Sequence, residues 1–305
     1  MNARKGQSGQ ATVLSLVFLT VLLGMAALVL DVGSWYRADR DTQSTADAAA
    51  LAGAQALPAD TSQAATLASS YADKNGGGLN SVSFSSQYGP NDTISVRVSR
   101  PATGFFSRVF GINSVTVGSK ASARTALISQ AQYVAPIVVR NTHPELLGTA
   151  GCPCFGPGDV TTIPLGKNGA PGAFDLLNLD GSRGGTSPDI LASWMLSGYN
   201  GYLSLGHYYS DAGAKFNSSQ MQNALSQRIG SVLLFPVYDN LTGTGSNAQY
   251  HVIGWVGFHL LGFDARGSSG SITGYFTNVI WSGLQASSGS SQPPDFGARS
   301  VQLVD

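Results

Sequence analysis

Six side chains in this sequence are of the types that metal or redox chemistry needs: His143, His207, His251, His259, Cys152 and Cys154. The cysteines stand as Cys152-Pro153-Cys154. A Cys-x-Cys bridge is strained and therefore easily reduced, while thiols outside the cytoplasm tend to oxidise. The pair reads as a disulfide within its loop, with pairing between chains and free thiols as the alternatives. A zinc site would need two more good ligands, and none stands nearby in sequence. His251 and His259 are eight residues apart on one predicted strand and so point to the same side. Their Cα atoms would be about 26 Å apart, too far to share a metal or an active site. Asp175, Asn178 and Asp180 gather oxygens but lack the EF-hand register and its closing Glu. Asp180-Gly181 reads as a turn. No His-Glu-x-x-His, Gly-x-Ser-x-Gly or phosphate-cradling loop occurs. No catalytic residue, metal or cofactor is assigned, and the chain is not read as an enzyme.

The aromatic residues suggest recognition. Tyr199, Tyr202, Tyr208 and Tyr209 cluster in a loop-like stretch, and Tyr-rich loops suit binding. The later aromatics, among them Tyr250, Trp255, Phe258, Tyr275, Phe276 and Trp281, alternate along predicted strands and read as core packing.

The element that must position everything else lies at the start. Ala11 to Leu30 is a run of 20 residues without a charge, with Leu14 and Leu22 inside it. At about 1.5 Å per residue it spans about 30 Å, the hydrocarbon thickness of a bilayer. Arg4 and Lys5 precede it and Asp31 closes it, which favours a cytoplasmic N-terminus. A cleaved signal peptide would carry a shorter apolar region and a small-x-small site. The following Asp31-Val32-Gly33-Ser34-Trp35-Tyr36 has no such site, so the run reads as an uncleaved anchor.

Beyond Asp31 the helix continues, because Ala46 to Ala56 is rich in the best helix former, until Pro58 ends it. Ala46, Ala49, Ala50, Gly53 and Leu57 recur at spacings of three and four and form one smooth face. Such a face lets another backbone approach closely. It reads as an assembly face or as packing within the helix's own domain. A second helix is expected near Thr61 to Lys74, then a hairpin of Val82–Ser85 and Ile94–Val98. A short helix or turn at Phe105 to Phe110 and a strand from Val115 follow.

The second half reads as β-rich. Strands are expected at Ile137–Val139, Phe174–Leu179, Val232–Val237, Tyr250–Phe263 and Ile272–Trp281. Helices are expected at Pro188–Leu196 and Ser218–Arg228, with a loop region between Thr142 and Gly172. The fold class is α+β: one N-terminal transmembrane helix extended by an Ala-rich helix, a small antiparallel sheet, and a β-rich extracytoplasmic domain. The expected divisions are 1–10 cytoplasmic, 11–30 transmembrane, 31–130 membrane-proximal, 131–285 β-rich and 286–305 a Ser/Gly/Pro-rich tail, whose end can add an edge strand.

Composition limits the function. The 305 residues carry 17 Lys+Arg and 17 Asp+Glu, a net charge of zero, and charged residues are 11% of the chain, against about 25% in soluble domains. Neutralising phosphates needs a basic patch, so a nucleic-acid role is excluded.

The N-terminal residues Gly9-Gln10-Ala11, Leu30-Asp31-Val32-Gly33, Tyr36-Arg37 and Gln43-Ser44-Thr45-Ala46-Asp47-Ala48-Ala49-Ala50-Leu51-Ala52-Gly53-Ala54 follow one another in an order that resembles the TadE/TadG-like proteins of Tad (Flp-type) pilus assembly. Phe105 to Ile112 is similar to the middle of TadG-like chains. The resemblance implies a bacterial single-pass envelope protein, related to pseudopilins, with an assembly or minor-pilin role and no catalytic residues. Its partners would be the membrane, other pilus-assembly proteins or pilin subunits, and further copies of itself. Prepilin-peptidase substrates carry a Glu five residues after the cleaved Gly. Counted from Gly6 and Gly9 those places hold Ala11 and Leu14, which goes against processing. The alternative is a surface binding or adhesion protein on a Tad-like anchor.

Overall fold

The computed structural model describes residues 7–147, 155–165, 175–211, 214–266, 269–286 and 292–304. The chain divides into two compact units, Met1–Thr125 with Gln302–Asp305, and Ala126–Val301.

The first unit begins with α1 (Gln7–Ala54), one uninterrupted helix. It joins the apolar run to the Ala-rich extension, as their composition predicts. α2 (Thr61–Lys74) follows, with Asp60 as N-cap accepting the N–H of Gln63; such a cap satisfies one of the orphan donors at a helix start. β1 (Leu79–Ser85), β2 (Thr93–Thr103) and β3 (Ser114–Ala131) form an antiparallel meander. Between β2 and β3 lies a single 3₁₀ turn, Ser107–Phe110. The core here is built of small side chains. Ala46, Ala49, Ala50 and Ala54 of α1 and Ala64, Ala68 and Ala72 of α2 are fully buried with Ile94 and Val96 of β2. Alanines bury little apolar area each, at about 25 cal/mol per Å². What they permit is close approach of two helix backbones.

Arg100 on β2 locks this arrangement. Its guanidinium donates to Thr45 Oγ1 of α1, to the Asn75 carbonyl at 3.1 Å and to the Gly77 carbonyl at 2.9 Å. Asn75 is the C-cap of α2, where carbonyls lack helical partners.

The second unit is β-rich. Its elements in order are β4 (Val139–Arg140), α3 (Pro144–Leu147), β5 (Thr161–Leu165), α4 (Pro188–Ser197), β6 (Leu203–Ser204), β7 (Gly206–Tyr209), α5 (Ser219–Arg228), β8 (Val232–Thr242), β9 (Gln249–Arg266), β10 (Ser269–Thr277), β11 (Val279–Ile280), β12 (Gly283–Gln285) and the start of β13 (Ala298–Val304), whose residues from Gln302 belong to the first unit. Among the described residues one sheet runs β4-β8-β9-β10-β5, with β7 also paired to β9. The long β8–β9–β10 strands are antiparallel. The end of β3 pairs with β6 and β12, and β11 lies parallel to β13. One core cluster joins Leu191 and Met195 of α4 and Met221 and Leu225 of α5 to Phe235, Phe258 and Phe276 of the sheet. A second gathers Leu177, Leu234, Tyr250, Val252 and Trp255. Ser187 and Ser218 cap α4 and α5 through their hydroxyls.

Three local expectations are corrected. Of the strand expected at Phe174–Leu179, the described residues 175–179 form none: Leu176 and Leu177 make only isolated bridges, to Ile137 and Ser210. The stretch read as loop before Gly172 contains β5, an edge strand whose pairing comes from β10. The end of the tail does form a strand, β13, but it lies between β3 and β11 in its sheet and not at an edge.

Candidate membrane-anchoring site

α1 is one helix with two different environments. Ala11, Leu14, Leu22 and Leu30 all project from the bare half, and Leu14 is 74% exposed. From Asp31 onward the helix finds partners, and by Thr42 and Thr45 it is buried. Soluble monomers rarely expose apolar patches beyond a few hundred Å². An uncovered apolar cylinder of this length is explained by a lipid environment. The helix is long and apolar enough to cross a membrane, and no residue of its apolar window is buried inside the protein.

Asp31 marks the change. It is only 3% exposed. Its carboxylate accepts the main-chain N–H of Phe105 at 2.6 Å, of Phe106 at 3.1 Å and of Ser107 at 2.5 Å. A buried carboxylate without partners would carry a large desolvation cost, and three convergent N–H groups offset it. Gly104 makes the turn feasible. A Cβ there would stand 2.9 Å from Asp31 Oδ2 and closer still to Ser107 Oγ. Asp92 repeats the device at the β1–β2 loop, accepting from the N–H of Gln87, Tyr88 and Gly89 at 2.7–2.9 Å. Burial alone would raise the Asp92 pKa, but these bonds and the Thr93 hydroxyl hold it below the usual aspartate value.

Beside Asp31 lies an open groove of about 580 Å³ lined by Val29, Leu30, Gly33, Arg37, Phe105 and Phe106. The loop that closes it presents Phe105, Val109, Phe110 and Ile112 outward.

The small-residue face has a different placement. Ala46, Ala49, Ala50 and Leu57 are buried within the first unit. A Cβ on Gly53 would meet Ile94 Cδ1 at 2.5 Å and the Ala64 carbonyl at 2.9 Å. This face packs on α2 and β2 of its own chain, the second of the two readings its spacing allows.

The tyrosines are not one loop. Tyr199 packs edge-on against Trp194 at 5.6 Å. Tyr202 is exposed. Tyr208 and Tyr209 belong to β7, paired with β9, and the Tyr208 hydroxyl donates to the Ser204 carbonyl at 2.7 Å. Cys152 and Cys154 lie outside the described residues.

Sequence spacing missed one histidine pair. His207 and His251 face each other across β7 and β9 and stack at 4.6 Å, and His251 Nδ1 is 2.8 Å from Asp239 Oδ1. Cross-strand register is invisible in sequence until the pairing is known. Among the described residues no group of three or more His, Cys, Asp or Glu gathers to hold a metal ion.

The long helix, bare at one end and packed at the other with Asp31 between, is the feature that the comparison with known families picks out. Residues 9–56 match the family model of the putative Flp pilus-assembly TadE/G-like proteins. The TadE/G-like segment therefore covers the apolar run, Asp31 and the packed Ala-rich half of α1. The Phe105–Ile112 loop that receives Asp31 lies outside it. No curated protein and no solved structure matches the chain.

Proposed function

We propose that this chain is a membrane-anchored component of Flp-type pilus assembly, or a minor pilin, acting through protein–protein contacts in the cell envelope. The observation that carries the reading is the TadE/G-like segment, laid along a helix whose apolar half is uncovered among the described residues. The helix anchors the chain in the cell membrane with its N-terminus on the cytoplasmic side, as the placement of Arg4 and Lys5 before the span supports. The two folded units stand outside the cytoplasm and present surfaces to pilin subunits or assembly proteins. The role needs no chemistry of its own.

Fractionation tests it. Surface filaments are sheared from cells and the chain is quantified in filaments and in membranes. Recovery in filaments at a low ratio to the main subunit identifies a minor pilin. Recovery only in membranes identifies an assembly component. Recovery in neither, or normal piliation after deletion of the chain, overturns the proposal.

A further inference from the structure

We propose that the Phe105–Ile112 loop is a second membrane contact, seating its apolar side chains in the interfacial layer of the leaflet at the Asp31 end of the span. The proposal rests on the reading of α1 as a membrane helix.

Three observations converge. The first is exposure. Phe105 is 75% exposed, and Val109 and Phe110 are each 82% exposed, within one short turn. In water this apolar surface brings no stabilisation, at about 25 cal/mol per Å² left unburied. The second is position. Hydrogen bonds from Phe105, Phe106 and Ser107 fix the loop to Asp31, the first charged residue after the apolar run. Phe110 is three residues past Ser107, so it lies within about 10 Å of that tie. The interfacial layer flanking the hydrocarbon core is roughly 5–8 Å thick, so the loop reaches it. The third is surroundings. Phe105 and Phe106 share their groove with Val29 and Leu30 before Asp31 and with Gly33, Ser34 and Arg37 after it, so the loop sits astride the end of the apolar run.

The chemistry of the loop fits a lipid surface. Its one charge is Arg108 and it has no acidic residue, which suits phosphate headgroups. Aromatic side chains favour this level of a bilayer, and Tyr36 of α1 stands exposed about one and a half turns past Asp31. The loop and the helix together hold the first unit at two points, which restricts its tilt on the membrane.

The test uses the full chain with Cys152→Ser and Cys154→Ser and one added cysteine carrying an environment-sensitive fluorophore. Val109→Cys and Phe110→Cys report on the loop, Leu22→Cys on the span and Gln87→Cys on the exposed β1–β2 loop. The protein is reconstituted in phosphatidylcholine vesicles containing phosphatidylglycerol, with nitroxide lipids labelled near the headgroup or deep in the chain. The expected result is shallow-nitroxide quenching at 109 and 110 several-fold above that at 87, with deep quenching at 22. Quenching at 22 with water-like emission at 109 and 110 overturns the loop contact and leaves the span standing. Blue-shifted emission at 110 without lipid quenching means that protein covers the loop, and also overturns it. Absence of quenching at 22 overturns the span and the loop contact with it.

Discussion

The carboxylate of Asp31 accepts the main-chain N–H of Phe105 at 2.6 Å across 74 residues of sequence. That one contact joins the end of the apolar run within α1 to the turn between two strands. It explains how a residue with one of the most strongly hydrated side chains is buried where the lipid-facing surface stops: its charge is spread over three backbone donors.

Removing the carboxylate should free the turn. In Asp31→Ala, amide hydrogen exchange at Phe105, Phe106 and Ser107 is expected to accelerate, and proteolysis after Arg108 to increase. Unchanged exchange at all three amides would show that the turn holds itself. Gly104→Ala should produce the same loosening, because its Cβ collides with the Asp31–Ser107 contact.

A charge in the span should prevent retention. Leu22 lies near the middle of Ala11–Leu30, where an arginine costs about 2.5–3.5 kcal/mol on insertion scales. Leu22→Arg is therefore expected to lower the fraction of chain recovered in carbonate-washed membranes. Equal recovery would sink the reading of this run as the anchor.

Gly53 has no room for a side chain. Gly53→Ala should destabilise the first unit by about 1–3 kcal/mol through overpacking against Ile94 and the Ala64 carbonyl, and Gly53→Leu by more. Thermal unfolding in detergent measures this. If Gly53→Leu unfolds like wild type yet abolishes piliation, the face serves a partner and not α2.

Acid should loosen the β1–β2 loop. The Asp92 pKa is lowered in the folded chain below its ordinary value of 3.8. Its contribution is therefore fully present above that value and is lost as pH falls through the lower, folded pKa. Amide exchange at Gln87, Tyr88 and Gly89, corrected for its intrinsic pH dependence, is expected to show falling protection over that acidic window. In Asp92→Asn the protection should be lower at neutral pH and flat across the same window.

Much of this molecule was legible in the sequence because it depends on neighbours a few residues away. An uncharged run of bilayer length, alanines that sustain a helix to its end, helix starts at Pro188 and Ser218, and turn residues between alternating strands are all local chemistry. They established the long apolar helix, its extension, α2, the first hairpin and the longest strands. Tertiary structure alone decided the rest. Asp31 looked like the end of an apolar run, and only folding supplied its donors from residues 105–107. The Ala46–Gly53 face was equally suited to a partner or to its own chain, since small residues advertise close approach without saying to what, and α2 with β2 fills it. β5 and β7 are short strands whose hydrogen bonds come from β10 and β9, so nothing in their own residues distinguishes them from loop. Residues 175–179 show the reverse: a strand-like composition to which folding supplied only isolated bridges.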